Sequence, residues 1–204
     1  MTTPTSPADR NKDPILAVLR EWLPPEGTVL EIASGTGKHV CHFAAALPGI
    51  RWQPTEPDDV SRDTLVTQVR DSGLRNIAAP LPLDVMQSPW PVADRYDAIL
   101  CINMVHISPW AATLALLDGA ARHLVDTGKL ILYGPYLEDG TATPSNLDFD
   151  ASLKRRNADW GLRALEDVTA EAAARALLRR KRVQMPANNL TLVFERVSGA
   201  SHPR

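Results

Sequence analysis

Only two of the 204 residues are cysteine, Cys41 and Cys101. They fall in what read as a helix and a buried strand, so no disulfide framework is expected and the chain suits a reducing compartment. No stretch is long and apolar enough to span a membrane as a helix. The opening Met1-Thr2-Thr3-Pro4-Thr5-Ser6-Pro7 lacks the charged and apolar regions of a signal peptide, which makes the cytoplasm the expected location. Net charge is slight, because 22 Lys and Arg stand against 24 Asp and Glu and leave −2. That balance draws the chain neither to nucleic acid nor to anionic lipid, and neither is expected as a partner. No internal repeat is visible. Metal-ligand patterns are also missing: His39 and His42 share a helix at i,i+3 spacing, but no second ligand pair accompanies them, so no metal is expected. The one dense basic run, Arg179-Arg180-Lys181-Arg182, follows an Ala/Leu-rich stretch. It reads as a solvated helix C-terminus that complements the macrodipole.

What is present is one core's worth of alternating elements. Residues 1–13 are polar and Pro-rich and read as a flexible arm. Asp13 then caps a helix with Pro14 at its first position, and Ile15, Leu16, Leu19, Trp22 and Leu23 fall on one face. Residues 28–32 form a short apolar run that ends in a Gly-rich turn, followed by a helix that puts Val40, Phe43, Ala44 and Leu47 on one side. Further strands are predicted around Trp52, at 81–83, 98–104 and 130–133. One helix between them carries Val60, Leu65, Val66 and Val69, and another Trp110, Leu114, Leu117 and Leu124. This alternation implies a mostly parallel sheet covered on both faces. Helices are predicted near 149–156 and over 168–180. Two closely spaced strands, around Val183 and at 190–196, must then pair antiparallel. The expected fold is α/β, a seven-stranded, mostly parallel Rossmann-like sheet with an antiparallel terminal hairpin, the class I methyltransferase arrangement. Residues 14–197 would form this domain and 198–204 a disordered tail.

The turn Glu31-Ile32-Ala33-Ser34-Gly35-Thr36-Gly37-Lys38-His39 admits three ligands. A phosphate-binding P-loop needs a glycine five residues before the Gly-Lys pair and a hydroxyl after it, and those positions hold Ile32 and His39. A dinucleotide fingerprint counted from Gly35 reaches Val40 where a small residue belongs. The third ligand is S-adenosylmethionine. Ala33, Ser34, Gly35 and Gly37 would let the cofactor lie against the backbone, the helix N-terminus would offer N–H donors to its carboxylate, and Glu31 would hold its ammonium. Glu56, followed by Pro57, ends the second strand and suits the ribose hydroxyls, although NAD-binding folds place an acid similarly. Asp84, followed by Val85, ends the third and suits the adenine amino group. An isolated Asp there is more often a turn residue, so the series Glu31, Glu56, Asp84 carries the reading. The fourth strand delivers Asn103 and Met104 to the crevice, with His106 beyond them as a candidate general base or, equally, a backbone-bonded cap.

Five stretches resemble a known family: Ser6 to Leu16, the Glu31 to His39 turn, Cys101 to Trp110, Tyr133-Gly134-Pro135-Tyr136 and Met185 to Leu190. They are similar to the methyltransferase-like family of domains of unknown function that includes methyltransferase-like protein 26. The resemblance implies the class I fold and S-adenosylmethionine binding, and says little about the acceptor. Lys38 departs from the uncharged or acidic residue expected there, its charge opposing the helix dipole. Residues peculiar to the family are the candidates for acceptor recognition: Arg10 and Asn11 as an N-terminal lid, Tyr133 and Tyr136 after the fifth strand, and Asn146 and Asn188 in rim loops. For Asn146 a turn role is the more expected. The leading expectation is methyl transfer to a small molecule. A non-catalytic S-adenosylmethionine-binding protein comes next, and an NAD(P)-dependent oxidoreductase last.

Overall fold

A computed structural model of the chain describes residues 7–92 and 95–197. Its main sheet has strands β1 (Gly27–Ile32), β2 (Ile50–Pro54), β3 (Tyr96–Ile102), β4 (Leu124–Gly134), β7 (Leu177–Met185) and β8 (Asn189–Arg196) in the order β2-β1-β3-β4-β8-β7. The first four run parallel, and β8 is antiparallel to both β4 and β7. A short parallel pair, β5 (Tyr136–Leu137) with β6 (Arg163–Ala164), lies outside this sheet. The helices are α1 (Pro7–Trp22), α2 (Lys38–Ala46), α3 (Asp59–Ser72), α4 (Trp110–His123), α5 (Pro144–Arg156) and α6 (Leu165–Ala173).

Side chains alternate across the parallel strands and build a core on each face. Leu30, Ile32, Ile99, Leu130 and Leu132 pack against α4 and α6 through Leu116, Leu117 and Val168. Val29, Ala98, Leu100 and Ile131 pack against α1, α2 and α3 through Ile15, Leu19, Phe43 and Leu65. On α3 only Leu65 is buried, while Val60 is 76% exposed.

Four sequence expectations change. The strand predicted at 81–83 does not join the sheet as a seventh member. This segment meets β2 only at isolated bridges, Trp52 with Ile77 and Thr55 with Leu81. Leu81 does hydrogen-bond on both sides, its N–H donating to the Pro54 carbonyl at 3.1 Å and its carbonyl accepting from Glu56 N–H at 3.0 Å. Pro80 and Pro82 flank it and have no N–H to extend the ladder. Second, α1 starts at Pro7, so Asp13 is no cap and Pro14 lies inside the helix, where it removes one helical hydrogen bond. The turns before it are fastened from outside by Asp9 with Lys38 at 3.3 Å and Asn11 with His39 at 2.8 Å. Residues 1–6 of the predicted arm, and the predicted tail 198–204, lie outside the described residues. Third, α5 begins a turn earlier than predicted, with Pro144 in its first turn. Fourth, the basic run is strand. Residues 179–182 stand on β7, the edge strand, where charged side chains guard against further pairing. Arg180 pairs with Glu195 at 2.9 Å and Arg182 with Glu138 at 2.5 Å. Among the described residues no helix is long and apolar enough to cross a membrane.

Candidate active site

The carboxyl ends of β1 and β3 open onto a cleft of about 180 Å³, lined among others by Glu31, Ala33, Ser34, Gly35, Lys38 and Asn103. The turn between β1 and α2 is held in left-handed conformations, with φ of 52° at Ala33, 57° at Gly35 and 83° at Gly37. Gly37 is needed for a second reason, because a Cβ there would stand 2.6 Å from Leu65 Cδ1. Ser34 N–H donates to the Thr55 carbonyl at 2.7 Å, which ties the turn to the end of β2. Gly35 N–H donates to Glu56 Oε2 at 2.8 Å, and Asp58 N–H donates to Oε1 at 3.2 Å, so Glu56 braces the turn from below.

Glu31 is 1% exposed, and its Oε2 has no hydrogen-bond partner. Burial pushes its carboxyl up to about 7, partly offset by Ser34. A carboxylate left unpaired at such depth is costly unless a cationic ligand completes it.

Beyond Asn103 lies a larger cavity of about 480 Å³, which Asn103 also lines. Asn103 adopts φ 65°, and its N–H donates to the Tyr133 carbonyl at 2.8 Å. The chain then makes one turn of 3₁₀ helix, 104–106, that aims His106 at this cavity. His106 is 4% exposed and meets the Phe149 ring edge-on at 5.6 Å. Gly134 on β4 makes room for it, since a Cβ there would lie 3.0 Å from His106 Nδ1. Burial, helped by the Arg163 guanidinium, lowers its pKa to about 4, so the imidazole is neutral at physiological pH. Arg163 also fixes the turn by donating to the carbonyls of Val105 at 3.2 Å, Ser108 at 2.5 Å and Asp159 at 2.8 Å.

The α1 helix roofs both spaces. Asn11, 7% exposed, lines the larger cavity and bonds through Oδ1 to His39 Nε2 in the cleft at 2.8 Å. Burial and the neighbouring His42 lower the His39 pKa to about 4, so the ring is neutral, and an acceptor oxygen of Asn11 facing Nε2 calls for the tautomer protonated there. The Asn11 amide is then free to bond the Tyr133 hydroxyl. One residue of the roof thus touches the walls of both cavities.

Residues 3–196 match the profile of the family described as "Protein of unknown function (DUF938)". The chain belongs to the DUF938 family. Solved structures show which fold this DUF938 chain has. It is similar to an O-methyltransferase family protein from Burkholderia thailandensis with a TM-score of 0.78 and 15% identity, over 94% of this chain and 57% of that one. It is also similar to an O-methyltransferase family 2 protein from Planctomyces limnophilus DSM 3776 in complex with apigenin (TM-score 0.75, 18% identity, 93% and 57%). Human N-acetylserotonin methyltransferase in complex with SAM gives a TM-score of 0.76 at 10% identity, over 93% and 52%. The DUF938 chain therefore has the Rossmann-like methyltransferase fold, and spans about half the length of these three chains.

Within that fold the predicted site residues divide. Glu31, Ala33, Ser34, Gly35 and Asn103 line the cleft, while Gly37 and Glu56 support its turn. Pro57, Asp84, Val85 and Met104 are outside its lining, at or just past the ends of the strand segments. Asp84 has a turn role, its Oδ1 accepting from Met86 N–H at 2.9 Å. Arg10, Asn11, His106, Tyr133, Asn146 and Asn188 all line the larger cavity. Asn146 stands inside α5 and not in a loop turn as expected; its Nδ2 donates to the Asn188 carbonyl at 2.9 Å and joins α5 to the β7–β8 turn. Tyr136 does not reach that cavity. Two residues beyond Gly134 it has turned into the opposite core, where its buried hydroxyl has no partner and desolvation raises its pKa. Sequence reasoning missed Phe149 and Arg163, and weighed His39 only as a metal ligand.

Proposed function

We propose that this protein transfers the methyl group of S-adenosylmethionine to a small-molecule acceptor. The observation that carries the reading is the unpaired, buried Glu31 Oε2 in a cleft that shares Asn103 with a second, larger cavity. The cofactor, when bound, supplies an electrophilic methyl on a sulfonium. Glu31 would take its ammonium, and Lys38, whose charge opposes the dipole of α2, would meet its carboxylate together with that helix's N–H groups. Glu56 has lone pairs left for the ribose hydroxyls, and Asp84 Oδ2 for the adenine amino group. The larger cavity would hold the acceptor with its nucleophilic atom toward that methyl, across the boundary Asn103 forms between the two spaces. Any proton the acceptor loses passes to the neutral His106. The roof of α1 holds the acceptor close and keeps water out.

All five stretches that carry the family resemblance contribute residues to one of these cavities. Cys41 and Cys101 are free thiols, which supports a reducing compartment such as the cytoplasm.

S-Adenosylmethionine or S-adenosylhomocysteine is expected to raise the melting temperature, by the equivalent of about 2.7 kcal/mol at a hundred times Kd. No calorimetric heat and no thermal shift at millimolar ligand would overturn the reading. Glu56→Ala is expected to weaken cofactor binding by about 1–3 kcal/mol, the range for polar groups left unpaired. Unchanged affinity would mean that the ribose is held elsewhere.

A further inference from the structure

The roof helix α1 is built in two unlike halves. Past Pro14, the side chains of Ile15, Leu16, Val18 and Leu19 are buried in the core that also holds Val29 of β1 and Phe43 of α2. Ahead of Pro14, no residue from 8 to 13 belongs to either apolar core. This front half meets the start of α2 through polar groups: Asp9 with Lys38 at 3.3 Å, Asn11 with His39 at 2.8 Å, and Asp13 with His42 at 2.8 Å. The outer two contacts are open to solvent, with the Asp13 and Lys38 side chains 72% and 49% exposed, and exposed pairs of this kind add little stability. Between the halves, Pro14 has no N–H for the Arg10 carbonyl and its ring crowds that oxygen. Helices bend at such an interior proline.

The front half is also the part that covers the two spaces. Ala8 lines the smaller cleft together with Glu31, and Arg10 and Asn11 line the larger cavity. With this roof in place the cleft measures about 180 Å³. Pockets that enclose ligands the size of S-adenosylmethionine run to about 300–1,000 Å³, so the cleft has to widen on entry. We propose that residues 7–13 are a lid hinged at Pro14, which swings off α2 to admit ligands to both spaces and closes again through Asn11 and His39. What the lid admits rests on the methyl-transfer reading, whereas the hinge does not. Segments open most readily where few apolar contacts must break, which separates residues 8–13 from 15–19. One motion uncovers both spaces, and its reversal restores the cover that keeps water out.

The test is amide exchange by NMR across α1 of the full chain, read at Asn11, Lys12 and Asp13. Theirs are the first N–H groups of the helix with a carbonyl four residues back. In the free protein they are expected to exchange roughly a hundredfold or more faster than Val18 and Leu19. S-Adenosylhomocysteine at a hundred times Kd should slow them by about tenfold or more. Pro14→Ala restores the missing bond and should slow them by about tenfold or more without ligand. By surface plasmon resonance the same variant should bind and release S-adenosylhomocysteine more slowly by similar factors, with Kd nearly unchanged. Asn11→Ala, which removes the buried latch, should speed release by about tenfold. Equal protection of the two halves would overturn the hinge. Fast exchange at residues 11–13 that Pro14→Ala leaves unmoved would be fraying of a helix end, and would overturn it too. Rates of ligand binding and release unchanged in both variants would overturn the lid. If S-adenosylhomocysteine did not bind at all, methyl transfer would fall, while exchange in the ligand-free protein would still uphold or overturn the hinge.

Discussion

Glu31→Gln is expected to weaken S-adenosylmethionine binding by more than a hundredfold, and to make the free protein more stable at pH 8 but not at pH 4. The two effects have one origin. Burial raises the Glu31 carboxyl from 4.5 to about 7 in the folded protein. Below pH 4.5 the group is protonated both folded and unfolded, and burying it costs no ionisation energy. Between 4.5 and 7 the folded protein holds a proton that the unfolded chain has lost, so stability falls as pH rises. Above about 7 the folded state carries a buried charge, at a cost on the order of 3 kcal/mol. Glutamine escapes that cost, so the melting curves of wild type and variant should diverge as pH increases. With cofactor the sign reverses, because the ammonium pairs with the carboxylate, and a buried pair stripped of one partner loses about 3–5 kcal/mol. Wild type should also release a proton on binding near pH 6, read as a buffer-dependent heat that the variant lacks. Equal affinities would remove Glu31 from the cofactor site, and melting curves that stay parallel across pH would remove its burial cost.

The elements legible in the sequence were those whose signals are local. The apolar runs of β1, β3 and β4 and the buried face of α2 can be read from short windows, because every parallel strand had to be apolar on both sides, whereas of the face expected on α3 only Leu65 is buried. The basic run was misread for a related reason. Arg, Lys, Leu and Ala are good helix formers, and only β8, lying alongside, converts 177–182 into strand. Pro14 misled because a proline at N1 is the common case, while α1 is held upstream of it by contacts with α2 that lie some thirty residues away. The absent seventh strand was legible after all, in the prolines on either side of Leu81.

The smaller cleft was readable because most of it is one continuous turn, Glu31 to His39, whose glycines and acid sit at fixed offsets. The larger cavity is assembled from segments between Arg10 and Asn189, and no window of sequence holds it. Tyr133 and Tyr136 illustrate the limit. Both follow the same strand and both could line a rim, but the chain leaves β4 at Gly134 and Pro135, and this turn sends the two rings to opposite faces of the sheet. Phe149 gave no sequence signal beyond helical spacing, and its proximity to His106 exists only because α5 folds back over the turn after β3.

His106→Ala is expected to lower turnover by about 10²–10⁴-fold while leaving cofactor affinity nearly intact, the range for loss of a positioned proton acceptor. Its ring lines the larger cavity and not the smaller cleft proposed for the cofactor, so the loss should fall on kcat. The pH profile distinguishes a base from a wall. An unperturbed histidine would give a limb near 6.5, but burial and Arg163 put this one at about 4. The depressed value means the neutral ring is favoured on folding, so at saturating cofactor the rate should be flat from pH 6 to 8 and fall only as pH approaches 4. Such a weak base is still competent. A hydroxyl oxygen becomes strongly acidic as the carbon bond forms, and its proton moves downhill to the imidazole late in the displacement. His106→Gln, which keeps bulk and polarity but accepts no proton, should be nearly as slow as His106→Ala. If Gln restored most of the rate, or if wild type showed a limb near 6.5, His106 would be shaping the pocket or titrating in contact with solvent, and the proton would leave by another route.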